Sequence, residues 1–245
     1  MNKKVEISII IPVLNAKDDL DLTLKSIEKQ DYQGFECIVI DGGSNDGTLD
    51  LVNKYNFISK MFSEKDKGIY DAINKGIGLS SGEIITTINS GDEYFSENSL
   101  SIVSKKFNEN KIDFLFGAVK KNKVYYKYEP KKMNWSFNFY PAHSGGFFVK
   151  KKVHDKIGLY SLKYPCSADY DFFWKMIKKY NYKGMNTSKD EVISVFKSGG
   201  FSSKYSFFEH VMEETKIRYN NGQNKLFVIF LLFARCVRHW KKFLN

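Results

Sequence analysis

Two short polar clusters, Asp41-Gly42-Gly43-Ser44-Asn45-Asp46-Gly47 and Asn89-Ser90-Gly91-Asp92, each follow an apolar run with the length and composition of a buried strand. A strand that ends in an acid delivers a carboxylate to the open edge of a sheet, where α/β proteins bind ligands. Two such ends suit a single site for a nucleotide and its metal. Between them, residues 66–79 (DKGIYDAINKGIGL) join a glycine-turned polar loop to a helical pattern, and place Asp66, Asp71, Asn74 and Lys75 on or beside it. A further acidic pair stands in Ser167-Ala168-Asp169-Tyr170-Asp171, at the start of another helical pattern. Acids two residues apart on a helix point in different directions, so the two are expected to do different things. A carboxylate near a helix N-terminus stays ionised, as a general base must.

The elements that position these residues follow from periodicity. Residues 5–13 (VEISIIIPV) form a β-branched run too apolar for a surface helix, and predict a central strand buried on both faces. Pro12 is expected to end its ladder, having no N–H to donate. Asp18 and Asp19 are expected to cap a helix with Leu20, Leu24 and Ile27 on one face. Strands are expected over 35–40, 57–62 and 83–88, with helices over 48–55, capped by Asp46, and over 69–79. This β-α-β-α-β-α-β alternation predicts a doubly wound, mostly parallel sheet with right-handed crossovers. After Asp92 the rhythm changes. A helix is expected from a Ser96 cap to Phe107, then strand-like segments 112–119 and 124–128, a strand over 147–150 and an amphipathic helix over 168–180. A strand-like segment over 190–196 and two final helices complete the chain.

Composition narrows the function classes. The chain has 245 residues, enough for a substantial core, and its 42% hydrophobic content argues against disorder. Its net charge of +10 suits an anionic partner. Cys37, Cys166 and Cys236 are scattered and no Cys/His spacing suggests zinc, which fits a reducing cytoplasm. The longest apolar run, 226–234, falls far short of the roughly 20 residues that span a bilayer. Beside it stand five Lys/Arg and no acids between Lys225 and Asn245. Apolar residues next to basic ones in a helix suit a membrane interface with anionic lipids, or packing on another protein surface.

Taken in order, Ile10-Ile11-Pro12-Val13-Leu14-Asn15, residues 41–48 (DGGSNDGT), 64–76 (EKDKGIYDAINKG), 89–92, 141–144 and 167–171 (SADYD), with Gly199-Gly200-Phe201-Ser202, resemble the family 2 glycosyltransferases of GT-A fold. Within them the chain is most similar to the small enzymes of O-antigen, capsule and colanic-acid clusters. The resemblance implies three segments: a nucleotide-sugar half over 1–95, an acceptor-side half over 96–202 and a C-terminal helical tail over 203–245. It implies an inverting transfer of a sugar from a nucleotide diphosphate, with Mg2+ or Mn2+, to a saccharide acceptor carried on a polyprenyl diphosphate. Such an enzyme works in the cytoplasm, peripheral on the inner face of the cell membrane.

Residue by residue, the resemblance places Pro12, Asn15 and Asp41 at the base and ribose, and Asp66, Asp71, Asn74 and Lys75 on the segment that closes over the nucleotide. Asp92 matches the last acid of the metal-binding motif, whose first acid is replaced here by Asn89. Asp169 matches the acid taken as the catalytic base, although Ala168 stands where the family has Glu. Each residue also has a plainer reading. Asp41 closes an Asx turn as readily as it meets a base, Asp92 could cap a turn, and Lys75 suits a solvated helix face. His143 suits a diphosphate or acceptor contact, or a structural role; Asp171 could steady its helix or orient an acceptor hydroxyl. Trp135, Phe137, Phe139 and Tyr140 suit either a sugar or lipid platform or core packing. Two other classes fit less well. A nucleotidyltransferase would carry a glycine-rich basic loop after the first strand, and IPVLNAKDD is not one. A nucleic-acid module would interleave its aromatics with lysines.

Overall fold

The structure, a computed structural model, describes residues 6–126, 129, 143–197, 199 and 204–239. It divides into two compact units, one of 1–128, 141–159 and 182–198, the other of 129–140, 160–181 and 199–245. This division cuts across the expected 96–202 and 203–245 segments, because the acidic helix beginning at Ala168 groups with the C-terminal helices.

The first unit is built on β1 (Ile7–Val13), β2 (Phe35–Asp41), β3 (Ile58–Ser63) and β4 (Ile84–Thr87), all parallel and ordered β3-β2-β1-β4. Their connections are α1 (Lys17–Glu28), α2 (Thr48–Val52) and α3 (Ile69–Leu79). Leu20, Leu24 and Ile27 of α1 share one core with Ile7, Ile9, Ile11 and Val13 of β1. On the opposite face α3 lies so close that a Cβ on Gly76 would stand 2.4 Å from Ile10 Cγ2. Helices on both faces make the sheet doubly wound, as the alternation predicts.

Beyond β4 the sheet continues through β9 (Phe147–Lys150), β6 (Phe114–Phe116) and β10 (Gly184–Asn186). β9 is antiparallel to both its neighbours, so the sheet is mostly parallel. A smaller sheet orders β5 (Glu93–Tyr94), β11 (Val192–Val195), β7 (Ala118–Lys120) and β8 (Val124–Tyr125). The strand expected over 112–119 is therefore two strands in two sheets, broken at Gly117. A Cβ there would lie 2.6 Å from Ile193 Cγ1, so only glycine lets the chain step across. α4 (Ser99–Glu109) and α5 (Lys151–Ile157) complete the unit.

Several boundaries differ from expectation. α1 begins after Ala16 with no side-chain cap, and Asp18 and Asp19 lie in its first turn, where they complement the helix dipole. α2 starts after Gly47; Asp46 takes the Thr48 N–H (3.0 Å) and hydroxyl (2.5 Å) from one residue further out. α4 begins after Asn98 rather than Ser96. Pro12 does not end β1, which pairs with β2 as far as Val13 opposite Asp41.

The second unit contains α6 (Ala168–Trp174), α7 (Phe207–Asn220) and α8 (Lys225–Arg238). The helix expected over 168–180 widens into a π turn at Lys175–Lys179. Ser206 and Glu209 form a capping box on α7. Buried Glu214 of α7 pairs through both oxygens with buried Arg235 of α8. That pairing turns Val228 and Leu231 inward and leaves Leu226, Phe230 and Phe233 outward, 78%, 60% and 68% exposed.

At the end of the first unit's sheet where β1 and β2 begin, Glu36 ties three strands. Its carboxylate accepts from Ser8 Oγ (2.6 Å), Ser81 Oγ (2.9 Å), Gly82 N (3.2 Å) and Lys60 Nζ (3.0 Å). Burial alone would raise this carboxyl, but the Ser8, Ser81 and Lys60 donors outweigh it and hold it at about 2. Because the folded value is depressed, the stabilisation is fully present above the unfolded carboxyl range and is lost as pH falls toward 2. Glu36→Ala should cost about 2–3 kcal/mol in urea unfolding at neutral pH, by stranding buried donors. A change within about 0.5 kcal/mol would show that the network carries no weight.

Candidate active site

The site opens where β1 and β4 part. They pair from Ile7 opposite Ile84 to Ile10 opposite Thr87, and Ile88 N then donates to Ile10 O at 3.0 Å. Past that point β4 turns away while β1 continues beside β2. Pro12 sits two residues beyond Ile10, on the side β4 has left, and has no N–H to strand there. Its carbonyl accepts from Ser90 Oγ at 3.3 Å.

Residues 89–92 drop into this opening and are fixed by α1. Gly91 N donates to Thr23 Oγ1 (2.9 Å) and Asp19 O (3.1 Å), and Thr23 Oγ1 donates to Asp92 O (2.8 Å). Asp92 is buried, and its Oδ1 accepts from Lys197 N at 2.9 Å. Burial pushes its carboxyl up to about 7, against the Lys197 N–H and the Lys121 charge. At the other end of the turn Asn89 Nδ2 donates to Ser144 Oγ (2.8 Å), while its Oδ1 is buried with no hydrogen-bond partner among the described residues. A buried carboxylate and an orphaned amide oxygen fit a hard divalent cation, which favours oxygen ligands. No group of three or more His, Cys, Asp or Glu side chains could hold a metal among the described residues, so ligand oxygens would have to complete the shell.

The ends of β1, β2 and β3 supply the rest. Asn15 adopts φ +47°, a left-handed conformation that asparagine tolerates. Its N–H donates to Ser44 Oγ (2.8 Å) and its Oδ1 accepts from Asn45 N (2.9 Å), lacing the two loops together. Asp41 is fully buried and accepts from Gly43 N (3.1 Å), Ser44 N (3.1 Å) and Ser63 Oγ (2.6 Å). It therefore makes the Asx turn and shapes the loop. Asp66 stands over Gly42, its Oδ2 2.5 Å from where a Cβ would be, and its Oδ1 caps Gly68 N at 2.9 Å.

On α3, Asp71 accepts from Lys67 N (3.0 Å), which with the Lys75 charge lowers its pKa. Lys75 pairs with Glu64 (2.7 Å) and Asp71 (3.3 Å), so its charge is already shared by two carboxylates; Asn74 is half-buried one residue earlier. Pro12, Asn15, Asp41, Asp66 and Asp92 thus gather at one sheet end, with α3 bringing Asp71, Asn74 and Lys75 beside Glu64 and Lys67.

His143 stacks on Phe196 with ring centroids 4.1 Å apart and meets Tyr125 edge-on at 5.9 Å. Burial, helped by the Lys121 charge, pushes its imidazole down to about 4. At neutral pH it offers a hydrogen bond and no charge. Pro141, Ala142, the aromatics Trp135, Phe137, Phe139 and Tyr140, and Gly200, Phe201 and Ser202 lie outside the described residues.

In the second unit the two acids of α6 differ. Asp169 is half-exposed in the first turn, and its Oδ1 accepts from Tyr170 N at 2.8 Å. Asp171 is buried, with Oδ2 on Lys175 Nζ (2.6 Å) and Oδ1 on Asn221 Nδ2 (2.8 Å), tying α6 to the end of α7.

Sequence reasoning missed Thr23, Lys197 and Lys121. Thr23 falls on the inward face of an amphipathic helix, where it reads as filler. Lys121 is one of several lysines around Asn122 with nothing in their order to distinguish them.

A family model described as "Glycosyl transferase family 2" matches residues 8–211. The chain belongs to the family 2 glycosyltransferases. As a member of that family it is a glycosyl-transferring enzyme. A relative in Mycobacterium bovis (strain BCG / Pasteur 1173P2), "PGL/p-HBAD biosynthesis glycosyltransferase", is 30% identical over 174 residues, covering 67% of each chain. Among solved structures, Staphylococcus aureus TarS 1–349 in complex with UDP-GlcNAc superposes with a TM-score of 0.69 at 19% identity, covering 96% of this chain and 73% of that one. The mannosyltransferase PcManGT from Pyrobaculum calidifontis, in complex with GDP-Man and Mn2+, gives 0.70 at 16% identity over 98% and 72%. These likenesses establish the GT-A fold for this family 2 enzyme.

A neutral His143 has a direct signature. Its imidazole resonances should stay flat from pH 8 to pH 5 and move only as pH falls through about 4. A midpoint above pH 6 would mean that the ring is wet and available as a cation.

Proposed function

We propose that this enzyme transfers a sugar, with inversion, from a nucleotide-diphosphate sugar to a saccharide acceptor carried on a polyprenyl diphosphate, in the synthesis of a bacterial surface polysaccharide such as O-antigen or capsule. The observation that carries the donor half is the pair of buried oxygens, Asp92 carboxylate and Asn89 Oδ1, at the parting of β1 and β4. A bound Mg2+ or Mn2+ would neutralise the charge that grows on the diphosphate as it leaves. The laced loops of Asn15 and Asp41, with Pro12 behind them, hold the nucleoside, and Asp66, Asp71, Asn74 and Lys75 flank it. Structural neighbours solved with UDP-GlcNAc and with GDP-Man and Mn2+ support a nucleotide-sugar donor without choosing its base. Asp169 takes the proton of the acceptor hydroxyl; its exposure on the first turn of α6 suits that role better than Asp171, which is buried in an ion pair. His143 contributes a neutral hydrogen bond to diphosphate or acceptor.

Release of nucleoside diphosphate from a panel of UDP-, GDP- and dTDP-sugars with Mn2+ tests this reading, and one donor class should turn over. Asp92→Asn should remove metal-dependent release. Asp169→Asn should cut transfer by about 10²–10⁴-fold while nucleotide binding survives. Asp171→Asn should lower the melting temperature more than it lowers the rate per folded molecule. If Asp171→Asn is the slower of the two folded variants, Asp169 is not the base.

The acceptor half rests on α8, whose outward Leu226, Ile229, Phe230 and Phe233 follow Lys225 and precede Arg238. No helix is long and apolar enough to cross a membrane among the described residues. An exposed apolar helix face with basic ends, on a chain of net charge +10, suits the anionic inner surface of a cell membrane. Deleting α8 would leave Glu214 buried without Arg235, a defect of about 3–5 kcal/mol, so point substitutions are the better probe. Phe230→Ser with Phe233→Ser should release the enzyme from phosphatidylglycerol vesicles without loss of donor hydrolysis. Undiminished vesicle binding would place the contact elsewhere.

A further inference from the structure

Lysine charges around the candidate site are unequally committed. Lys75 is held by Glu64 and Asp71, and Lys197 Nζ is held by Asp19. Lys121 pairs with no carboxylate within 4.0 Å among the described residues. Its ammonium instead lies over the Phe196 ring, 4.7 Å from the centroid.

The fold holds Lys121 at the site. It follows β7 at the turn into β8, where Lys121 N donates to Lys123 O at 3.1 Å, and Phe196 N donates to Lys120 O at 2.8 Å. Phe196 stacks on His143 at 4.1 Å, and the next residue, Lys197, gives its N–H to Asp92 Oδ1 at 2.9 Å. The Lys121 charge acts on both Asp92 and His143. An ammonium over an aromatic face is held by only about 0.5–2 kcal/mol. It is positioned, yet cheaply released to a better anion.

We propose that Lys121 is a phosphate-binding residue of this site, supplying the diphosphate with the positive charge that Lys75, already paired, does not. This rests on the nucleotide-sugar reading above. The departing nucleoside diphosphate carries one more negative charge than the diphosphate of the donor, so Lys121 should hold the product more strongly than the donor.

The test is calorimetric titration, in Mn2+ and 0.15 M salt, of UDP, GDP and dTDP and the corresponding nucleosides into wild type, Lys121→Gln, Lys121→Arg and Lys123→Gln. For whichever diphosphate binds wild type, Lys121→Gln should weaken binding about tenfold, as expected for one lost charge-assisted contact. The nucleoside should bind both proteins alike, Lys121→Arg should restore most of the affinity, and Lys123→Gln should change it less than about twofold. If Lys121→Gln melts well below wild type, Lys121→Met, which keeps the stem over Phe196, takes its place. Equal diphosphate affinity in wild type and the uncharged variant would overturn the assignment and leave the nucleotide-sugar reading standing. So would an equal loss in Lys123→Gln, which would point to a diffuse surface field, or an equal loss for diphosphate and nucleoside, which would point to a disturbed aromatic stack. Wild type that binds none of the three diphosphates would sink the nucleotide-sugar reading itself, and this proposal with it.

Discussion

The separation of β1 from β4 is the constraint on which the candidate site depends. Two parallel strands that part inside a sheet ordinarily strand backbone donors on the freed edge. Here the residue two beyond the last shared hydrogen bond is Pro12, which has no donor to lose, and its carbonyl is met by Ser90. The opening therefore costs little, and it is where the 89–92 turn enters. From the other side α1 reaches the same turn through Thr23 and the Asp19 carbonyl. The segment that follows β11 of the smaller sheet reaches Asp92 through the Lys197 N–H.

Most acids near the site shape the protein. Asp41 folds its own loop, Asp46 anchors the start of α2 and receives Lys17 N, and Asp71 organises the entry to α3 while sharing Lys75 with Glu64. Asp171 cross-ties α6 and α7. Against that background Asp92 is unusual in being buried with a single backbone donor and no ion pair among the described residues, in a turn whose other end holds an amide oxygen with no hydrogen-bond partner among them.

The alternation of elements was legible because its signals are local. Residues 7–13 are buried at every position, α3 spans Ile69–Leu79 as its periodicity predicts, and Asp41 ends β2. What the sequence did not reveal was long-range. Gly117 breaks a strand because Ile193 approaches from a segment far along the chain. Lys75 is neutralised by Glu64 across the loop preceding α3, and the buried fate of Asp171 is decided by Asn221, 50 residues later. The π turn at Lys175–Lys179 carries no local signature either, since its residues suit an α-helix equally well. Periodicity names the face of a helix; it does not name the partner that the face will meet.

The buried Glu214–Arg235 pair has a consequence for the rotational phase of α8. A purely apolar helix could roll about its axis on α7 and hide its largest side chains at small cost, because one leucine substitutes well for another. A two-pronged ionic contact allows no such roll: turning the helix by one residue, about 100°, would pull the guanidinium away from its carboxylate and leave both charges in an apolar setting. The bulky aromatics at 230 and 233 are therefore locked outward by a contact on the far side of the same helix. In a chain freed of any covering surface, this rigidity should show itself as stickiness: concentration-dependent self-association, relieved by mild detergent and not dispersed by added salt.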